Sequence, residues 1–343
     1  MWSICGKTLS PGEKLQTVLS VDMGGLSHGG TVGPVLQSLD RTDLPGGYEM
    51  PATLICGRKP GKTLLITASI HSGEYPGVPA VIHTAKDLDP EKMCGNVLMV
   101  HCVNTSGFWA RSDALVPEDK FNLNRKYPGR PDGTVGERIA DFFATQVMPN
   151  VDFVLDLHSG GGCERMTPCL FFPRAEQVTE ASLAAAKALN VPYLLASSAT
   201  DGEYSYAANT LHKPALLIER GGCTLSMHEW SEDYHRDIRL LMDHLGIYPA
   251  QPGTRDECMK RVVYRNTIYL TSTAQGIWYA KVMEDTDVKK GDLLGVIEDF
   301  YGNCIAEYYA QEDGHVFYYT AGLSVREGSD LIAYGVKDSV EPV

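Results

Sequence analysis

The chain contains no run of roughly 18 or more apolar residues, so its sequence predicts no membrane-spanning helix. Its first residues, MWSICGKTLSPGEK, also lack the basic stretch followed by an apolar stretch that is typical of a secretory signal peptide. These two absences disfavour integral membrane proteins and exported proteins. We therefore expect a cytoplasmic protein.

Paired cysteine motifs are missing as well. The nine cysteines are an odd number, and they are scattered without a CxxC or CxxxC pair. In a chain without an export signal, this distribution is typical of reduced and mostly buried thiols. The sequence therefore predicts free cysteines rather than a disulfide framework.

Positive charge is in short supply. The chain has 30 lysines and arginines against 43 aspartates and glutamates, which gives a formal net charge of −13. This balance argues against DNA or RNA as a partner, because a polyanion would be repelled. A small anionic substrate remains compatible with it, because a few arginines can invert the potential within one cleft.

Two kinds of region follow one another along the 343 residues, a length at which two domains are common. Up to about residue 250, short apolar runs alternate with helical stretches, and such runs are typical of strands buried on both faces of an α/β sheet. We predict strands at residues 63–70, 96–104, 151–158 and 214–219. Helices are predicted at residues 135–148, 179–190 and 231–246, the last with Ser231 as N-cap and Gly246 as its end.

A segment rich in proline and glycine, residues 248–257, breaks this alternation, and the chain after it has β character. The stretches DVKKGDLLGVIE and SVREGSDLIAYG each place a V-x-x-G turn ahead of an apolar strand. This recurrence predicts a small barrel or sandwich of short hairpins, which resembles the lipoyl/biotinyl-type barrel-sandwich fold. The hairpin at residues 298–303 has no lysine to modify, so we expect a structural cap. The predicted domains are residues 1–255 and 256–343.

Three of the apolar runs end in residues that can bind a metal or work beside one. His71 and Glu74 follow the first run, His158 ends the third, and Glu219 ends the fourth. Ligands of open α/β sheets bind outside the carboxyl ends of the strands, so these side chains are expected to share one space. Two histidines and one carboxylate, with a fourth position left for water, form a catalytic zinc site of the carboxypeptidase type. We predict three metal ligands, His71, Glu74 and His158, with Glu219 as general base.

Each of these features alone also has a simpler explanation. The pattern H-x-x-E occurs by chance, and a histidine at a strand end is more often a hydrogen-bonded core residue. Asp156, on the same side of its strand as His158, is a candidate to orient that ligand, or it serves a structural hydrogen bond. Surface or core positions are expected for the histidines that lack such partners, namely His83, His101, His212, His228 and His235.

A long segment of polar and turn residues, 104–130, lies between the second and third runs and is predicted to be a functional loop. Asn124 and Arg125 offer planar donors suited to a substrate carboxylate. Arg111 is either a further partner of that carboxylate or a group that polarises the scissile carbonyl. The alternative is that these arginines are surface charges of an acidic protein.

Four motifs, GEYPG after a histidine, NLNRKYPG, DLHSGG and ALLIERGG, occur in this order. With them the chain resembles the succinylglutamate desuccinylase/aspartoacylase family of the zinc carboxypeptidase superfamily, from about residue 30 to residue 340. The resemblance implies a zinc-carboxypeptidase-like mixed sheet with helices on both faces, and a small all-β C-terminal domain. It also implies one zinc ion per chain on the three predicted ligands, with Glu219 as base. Arg111 would assist at the carbonyl, and Asn124 and Arg125 would bind the substrate carboxylate.

Two departures from the family pattern bear on selectivity. The usual HGNE or HGDE is HSGE here, and Arg220 follows the catalytic glutamate where a small or apolar residue is usual. Arg220 is therefore expected to add positive charge near the substrate. Tyr204 and Tyr206 are the candidates for the substrate tyrosine of true carboxypeptidases.

The leading hypothesis is a cytoplasmic zinc amidohydrolase that removes an acyl group from a small N-acylated amino acid, with neither nucleic acid nor membrane as partner. A homo-oligomer is compatible with the sequence. The alternative is a metallocarboxypeptidase that cleaves the C-terminal residue of small peptides with the same site. A β domain over the cleft would favour the small substrate. A third hypothesis is a non-catalytic binding protein, which the retention of every ligand and of the base disfavours.

Overall fold

The computed structural model describes residues 1–33, 40–41, 44, 46–337 and 340–342. The strands are β1 (Trp2–Ile4), β2 (Lys7–Leu9), β3 (Glu13–Val21), β4 (Asp40–Arg41), β5 (Tyr48–Cys56), β6 (Lys59–Ala68), β7 (Cys94–Val100), β8 (Phe153–His158), β9 (Glu164–Pro173), β10 (Tyr193–Ser197), β11 (Ala215–Gly222), β12 (Val262–Tyr264), β13 (Thr267–Thr271), β14 (Gly276–Ala280), β15 (Asp287–Val288), β16 (Leu293–Glu298), β17 (Cys304–Tyr309), β18 (Gly314–Thr320), β19 (Ser324–Val325), β20 (Asp330–Val336) and β21 (Val340–Pro342). The α-helices are α1 (Gly77–Asp87), α2 (Thr105–Ala110), α3 (Val135–Phe142), α4 (Thr179–Ala188), α5 (Glu203–Asn209) and α6 (His228–His244).

A large mixed sheet runs through the molecule in the strand order β13-β20-β18-β9-β11-β8-β6-β7-β5-β3-β4. The four central strands β11, β8, β6 and β7 are parallel to one another. Their neighbours β9 and β5 run antiparallel to them. The carboxyl ends of the four central strands therefore lie at one edge of the sheet, where the residues that follow them meet.

Helices cover both faces of the central strands. Leu64 and Ile66 of β6 belong to one hydrophobic core, together with side chains of α1, α4 and α6. Leu65, which points to the other face, belongs to a second core with side chains of α3 and α5. Because successive side chains of a strand alternate between faces, burial on both faces produces the continuous apolar runs seen in the sequence.

Strands β12–β21 form the C-terminal β region. A four-stranded antiparallel sheet, in the order β17-β16-β14-β19, packs around Trp278 against β18 and β20. The two predicted V-x-x-G turns have Gly291 and Gly328 at φ values of +91° and +82°, which glycine adopts without strain. Strand β18 pairs with β9, so this region continues the large sheet.

The predicted fold class is confirmed, since a mixed α/β sheet is followed by an antiparallel all-β region. The division of the chain after residue 255 remains a prediction. Among the described residues, no helix combines the length and the apolar character needed to cross a membrane.

Two predicted helix boundaries differ from the structure. Helix α6 begins at His228, and Ser231 lies inside it with its hydroxyl 3.5 Å from the carbonyl oxygen of Met227, so the predicted Ser231 cap is wrong. The predicted helix 135–148 is α-helical only to Phe142 and continues as a π turn over Phe143–Val147. Pro149, which has no N–H to donate, lies in the 3₁₀ turn that follows.

Candidate active site

The predicted site residues lie at the carboxyl edge of the central parallel strands. His71 comes shortly after β6, where Ser69 turns the chain with a left-handed φ of 59°. His158 is the last residue of β8, and Glu219 of β11 is its direct partner in the parallel register. Residues far apart in the sequence are therefore brought together by the pairing of parallel strands.

His71, Glu74 and His158 form a compact donor group, called the metal triad below. Nδ1 of His71 lies 2.7 Å from Oε1 of Glu74, and Nδ1 of His158 lies 2.9 Å from Oε2 of the same carboxylate. The atoms that the three side chains offer to a metal all lie within 4.8 Å of one another. The structure thus brings the three predicted ligands together, while their binding of a metal remains a prediction.

The other ring nitrogen of each histidine has a partner of its own. Nε2 of His71 lies 2.9 Å from Oδ1 of Asn122, and Nε2 of His158 lies 3.0 Å from Oδ2 of Asp156. An acceptor at Nε2 holds the proton there and leaves the lone pair of Nδ1 free for a metal. Asp156 thus lies beside the ring of His158, and its predicted role in orienting that ligand remains a prediction. Two imidazoles and one carboxylate suit zinc, so these donors fit the predicted ion.

The triad is strongly coupled by charge in the metal-free protein. Burial alone would raise the pKa of Glu74, but the positive charges of His71 and His158 outweigh it and lower this pKa to about 2. Burial opposes protonation of His158, yet Asp156 and Glu74 raise its pKa well above the usual range. A cation at the triad would replace the proton on His158, because metal ligands bind in their deprotonated form.

Glu219 lies next to the triad, where it pairs in register with His158. Its Oε2 atom is buried and has no hydrogen-bond partner among the described residues. Burial and the charge of Glu74 raise the pKa of Glu219 well above its usual range, although His158 acts in the opposite direction. Strongly perturbed carboxylates in clefts are typical of catalytic sites. A raised pKa makes a carboxylate a stronger proton acceptor, so the position of Glu219 and the direction of this shift suit a general base.

The triad and Glu219 open into a cavity of about 330 Å³. The carboxyl ends of the central strands form one side of it. The opposite wall comes from the C-terminal β region and consists of Thr267, Tyr269, Phe317, Tyr318, Asp330 and Ala333. The β region therefore covers the site, and the space left between the two parts suits a small ligand.

Of the three residues predicted to hold the substrate, two line this cavity. The side-chain amide of Asn124 lies 3.3 Å from the ring of His158, and Nε of Arg125 forms an ion pair of 3.2 Å with Asp201. Arg111 caps the C-terminus of α2 with a left-handed φ of 56°, is exposed, and is not among the described residues that line the cavity. The roles predicted for all three remain predictions.

Arg220 does not add positive charge near the substrate, so that expectation is wrong. Its guanidinium is buried on the other face of β11, where Nη2 lies 2.6 Å from Oδ2 of Asp237 on α6. Consecutive strand residues point to opposite faces, so Glu219 faces the cavity and Arg220 faces the helix. Arg220 therefore serves the packing of α6 on the sheet.

The two candidate substrate tyrosines have different surroundings. Tyr204 is buried and lines the cavity. Tyr206 packs against Tyr127, with ring centroids 6.2 Å apart, and is not among the described lining residues. Only Tyr204 is placed to contact a ligand in the cavity.

Several residues of the site have no counterpart in the sequence-based prediction. Asn122 contacts His71, as described above, and the backbone N–H of Ser159 donates to Oε2 of Glu74 at 3.0 Å. Asp113 accepts the N–H of Gly162 at 2.9 Å and ties the long loop to the segment after β8. The sequence signal for the Asp113 contact was the SGGG run after His158. Asp113 approaches this run so closely that a Cβ on Gly161 would lie only 2.6 Å from its Oδ1.

Known proteins that are similar to this chain match it over the region that contains the predicted site residues. The model of the succinylglutamate desuccinylase/aspartoacylase catalytic domain matches residues 60–246. A curated relative, the N-alpha-acetyl-L-2,4-diaminobutyric acid deacetylase of Halomonas elongata, is 31% identical over 280 residues, which are 78% of this chain and 80% of the relative.

Solved structures agree with these matches. The product-bound ectoine utilization protein EutE (DoeB) from Ruegeria pomeroyi superposes with a TM-score of 0.77 at 28% identity and covers 85% of this chain and 90% of its own. A succinylglutamate desuccinylase from Silicibacter sp. TM1040 has a TM-score of 0.75 at 28% identity and covers 86% of this chain and 90% of its own. The family model spans the triad, Asn124, Arg125 and Glu219.

Proposed function

The chain belongs to the succinylglutamate desuccinylase/aspartoacylase family and is a hydrolase of amide bonds, and from this premise we propose that it is a zinc-dependent deacylase of small N-acylated amino acids. The predicted family and enzyme class are confirmed. The identity of the ion, one zinc per chain, and the cytoplasmic location are parts of the proposal.

One observation carries this proposal. Nδ1 of both triad histidines and the carboxylate of Glu74 converge on one point, and Glu219 is in register with His158 beside it. When bound there, a divalent cation such as zinc supplies Lewis-acid activation of water and of the amide carbonyl. The two Nε2 contacts hold the histidine rings in the orientation that leaves Nδ1 free.

The proton transfers fall to Glu219. Its unpaired carboxylate takes a proton from the attacking water and later donates it to the amide nitrogen. The water oxygen forms the new bond to the acyl carbon while the C–N bond breaks. The products are the free acid of the acyl group and the amino acid with its amine restored.

Substrate positioning is assigned to Arg125, Asn124 and Arg111. The guanidinium of Arg125 can hold a carboxylate with two parallel hydrogen bonds, and Asn124 adds a donor from its side-chain amide. Arg111 keeps its predicted role at the scissile carbonyl in this proposal, although it lies outside the described lining of the cavity. The small cavity under the C-terminal β region favours a small acylated amino acid over the peptide substrate of the alternative metallocarboxypeptidase.

The test compares hydrolysis of N-acetyl and N-succinyl amino acids with hydrolysis of dipeptides and longer peptides, alongside metal analysis. We expect about one zinc per chain and activity on the acylated amino acids. Glu219→Gln should retain zinc and lose roughly 10²–10⁴-fold in kcat, the range of general acid–base catalysis. The exposed Glu176→Gln is the matched control and should be unchanged.

Each alternative has its own result in these assays. A fully active Glu219→Gln enzyme would remove the assignment of the base. Cleavage of peptides without cleavage of acylated amino acids would establish the metallocarboxypeptidase. Protein without zinc after chelator-free purification and without activity on any substrate would support the binding protein.

A further inference from the structure

One fully buried carboxyl group has no role in the proposed reaction. Glu203 is the first residue of α5, and in the described part of the chain no lysine or arginine pairs with its side chain. Its Oε1 lies 2.8 Å from the hydroxyl oxygen of Thr67, and its Oε2 accepts the hydroxyl of Tyr127 at 3.1 Å. Burial of a carboxyl group without a cationic partner is costly, and these two contacts offset part of that cost. The two hydroxyls lead to two different parts of the site.

Thr67 connects Glu203 to the metal triad. In the parallel register of β6 and β8, Thr67 is the direct partner of Asp156, so the two side chains point to the same face of the sheet. The hydroxyl of Thr67 lies 3.4 Å from Oδ1 of Asp156, and Oδ2 of Asp156 lies 3.0 Å from Nε2 of His158. All of these side chains are buried. A continuous chain of contacts therefore leads from Glu203 to a proposed metal ligand.

The hydroxyl of Thr67 has one proton and lies between two carboxyl groups. When that proton points to Asp156, the oxygen of Thr67 can only accept, so Glu203 must carry a proton of its own to donate to it. Burial and the charge of Asp156 raise the pKa of Glu203 well above its usual range, although its two hydroxyl contacts act in the opposite direction. A neutral carboxyl group at residue 203 thus fits both contacts, since it donates at Oε1 and accepts at Oε2.

The other contacts of Glu203 reach the segment proposed to bind the substrate. Tyr127 follows Asn124 and Arg125 in the chain, so its hydrogen bond to Oε2 holds this segment against the start of α5. The backbone N–H of Glu203 donates to Oδ1 of Asn124 at 2.8 Å. With its oxygen held in this way, the amide of Asn124 directs its nitrogen towards the ring of His158, 3.3 Å away. Glu203 therefore contacts the substrate side of the site through both its backbone and its side chain.

The turn before α5 permits this close approach. Gly202 has a φ of +98°, and a Cβ at this position would lie 2.8 Å from Oδ1 of Asn124. Glycine is the residue that combines such a conformation with such a short distance. In the same turn, Asp201 forms the ion pair of 3.2 Å with Arg125. Residues 201–203 therefore contact both members of the proposed substrate-binding pair.

We propose that Glu203 is a positioning residue that joins the metal side of the site to its substrate side. Through Thr67 it sets the orientation of His158, and through its backbone and Tyr127 it sets the position of the substrate-binding pair. Its carboxyl group acts in the neutral form. This inference rests on the proposed deacylase function and adds to it a residue outside the described lining of the cavity.

Two substitutions that each remove one hydroxyl test the two sides separately. Thr67→Val should lower zinc affinity about two- to tenfold, as expected for one hydrogen bond, and should keep KM within about twofold. Tyr127→Phe should give the reverse, with KM raised about two- to tenfold and zinc affinity kept within about twofold. Competition with a chelator measures zinc affinity. KM is measured with excess zinc on the N-acetyl or N-succinyl amino acid that the unaltered enzyme hydrolyses fastest.

Changes at Glu203 itself test the neutral form. Glutamine offers an N–H to Thr67 and an oxygen to Tyr127, so Glu203→Gln should keep zinc affinity and KM within about threefold. Glu203→Leu leaves both hydroxyls without this partner, so zinc affinity should fall and KM should rise, each about ten- to a hundredfold. The exposed Glu176→Gln and Glu176→Leu are the matched controls and should change neither quantity.

Three results would overturn the proposal. The first is unchanged zinc affinity in Thr67→Val together with unchanged KM in Tyr127→Phe, a result that does not depend on whether Glu203→Leu folds. The second is an equal loss of zinc affinity and of KM in both of these variants, since the hydroxyls would then support folding in general. The third is a Glu203→Gln enzyme as impaired as Glu203→Leu, because the charged form would then be required.

Failure of the proposed function would give a different result, namely no hydrolysis of any N-acetyl or N-succinyl amino acid by the zinc-loaded, unaltered protein. In that event, zinc affinity alone decides about Glu203. A lower affinity in Thr67→Val, with the affinity retained in Tyr127→Phe and in Glu203→Gln, would support the positioning of His158. Equal affinities of these three variants and the unaltered protein, or no zinc binding by any of them, would overturn it.

Discussion

Two histidines of this chain each lie between two carboxylates, one in the catalytic sheet and one in the C-terminal β region. His158 lies 2.9 Å from Glu74 and 3.0 Å from Asp156. His315 lies 2.9 Å from Asp287 and 3.1 Å from Asp285. Judged by the number of acidic neighbours alone, the two sites would look equivalent.

The two histidine sites differ in whether their donor atoms converge on one point and in the burial of their carboxylates. Glu74 is shared with a second histidine, His71, and in the described part of the chain the triad is the one group of three metal-binding side chains whose donor atoms converge. The side chains of Asp285 and Asp287 are 66% and 64% exposed, whereas those of Glu74 and Asp156 are 5% and 0% exposed. A metal site requires converging donor atoms, and exclusion of water strengthens the interactions between the charges of such a group.

The largest contrast is expected when each histidine is removed. His158→Ala takes away one of the three proposed ligands, so on the proposed assignment bound zinc should fall to near zero and hydrolysis to the background rate. His315→Ala, the matched variant, should keep about one zinc per chain and kcat/KM within about twofold, because its partners are screened by solvent. Metal analysis by mass spectrometry and steady-state kinetics check both.

The opposite result for the two histidine variants would contradict this comparison. If His315→Ala lost the metal while His158→Ala kept it, the converging group would not be the zinc site. A His158→Ala protein that binds zinc as tightly as the unaltered protein would likewise remove His158 from the ligand set.

A smaller effect is expected from the carboxylate behind His158. Asp156→Asn keeps the size of the side chain but weakens the contact that holds Nε2–H, so zinc affinity should fall about 10–100-fold. Asp287→Asn beside His315 should leave zinc affinity unchanged. Competition with a chelator of known affinity measures both, and equal affinities of the two variants would show that Asp156 does not support the ligand.

The pH dependence of stability separates the metal-loaded from the chelated protein. In the chelated protein, Asp156 and Glu74 raise the pKa of His158, although burial opposes this. A raised pKa contributes stability that is fully present below the unfolded value of about 6.5 and is lost as the pH rises through the folded value. The loaded protein has no proton on His158 to lose. The difference in Tm between the two forms should therefore widen from pH 6 to pH 8.5.

Thermal unfolding with and without chelator across this range measures that difference. Glu74 does not interfere with it. Burial opposes ionisation of Glu74, but the charges of His71 and His158 lower its pKa to about 2. The stability from Glu74 is therefore lost only at acid pH, below its unfolded value of about 4.3. A constant or narrowing difference in Tm would mean that His158 is not protonated in the metal-free protein.

The convergence at the triad could be predicted because it depends on local signals. The apolar runs before His71, His158 and Glu219 identify parallel strands, and the carboxyl ends of such strands meet at one edge. Arg220 could also have been placed, since alternation along the strand sends it away from Glu219. A small or apolar residue is usual at this position in the family, and the charge of Arg220 is instead directed to Asp237 on α6.

The rest of the site depends on pairings that no local signal specifies. Glu164 and Tyr318 meet because β9 pairs with β18, across more than a hundred residues of sequence. Asn122 reaches His71 from an irregular loop whose path follows from packing and has no period. The antiparallel strands β3 and β9 mix polar and apolar residues, so they lack the continuous runs that identified the central strands.

The smallest effect is expected at Asp287, whose side chain is 64% exposed although that of His315 beside it is only 10% exposed. The hydrogen bond from His315, followed by Lys337, lowers the pKa of Asp287, although burial acts in the opposite direction. A lowered carboxyl pKa contributes stability above its unfolded value of about 3.9 and loses it as the pH falls. Asp287→Asn should therefore lower the free energy of unfolding by at most about 1 kcal/mol at neutral pH. The loss should shrink below about pH 4 and in high salt, because exposed charges are screened. Denaturant unfolding at low and high salt measures this loss of stability. A large loss that is independent of salt would contradict the comparison, because it would mean that solvent is excluded around His315 as it is around His158.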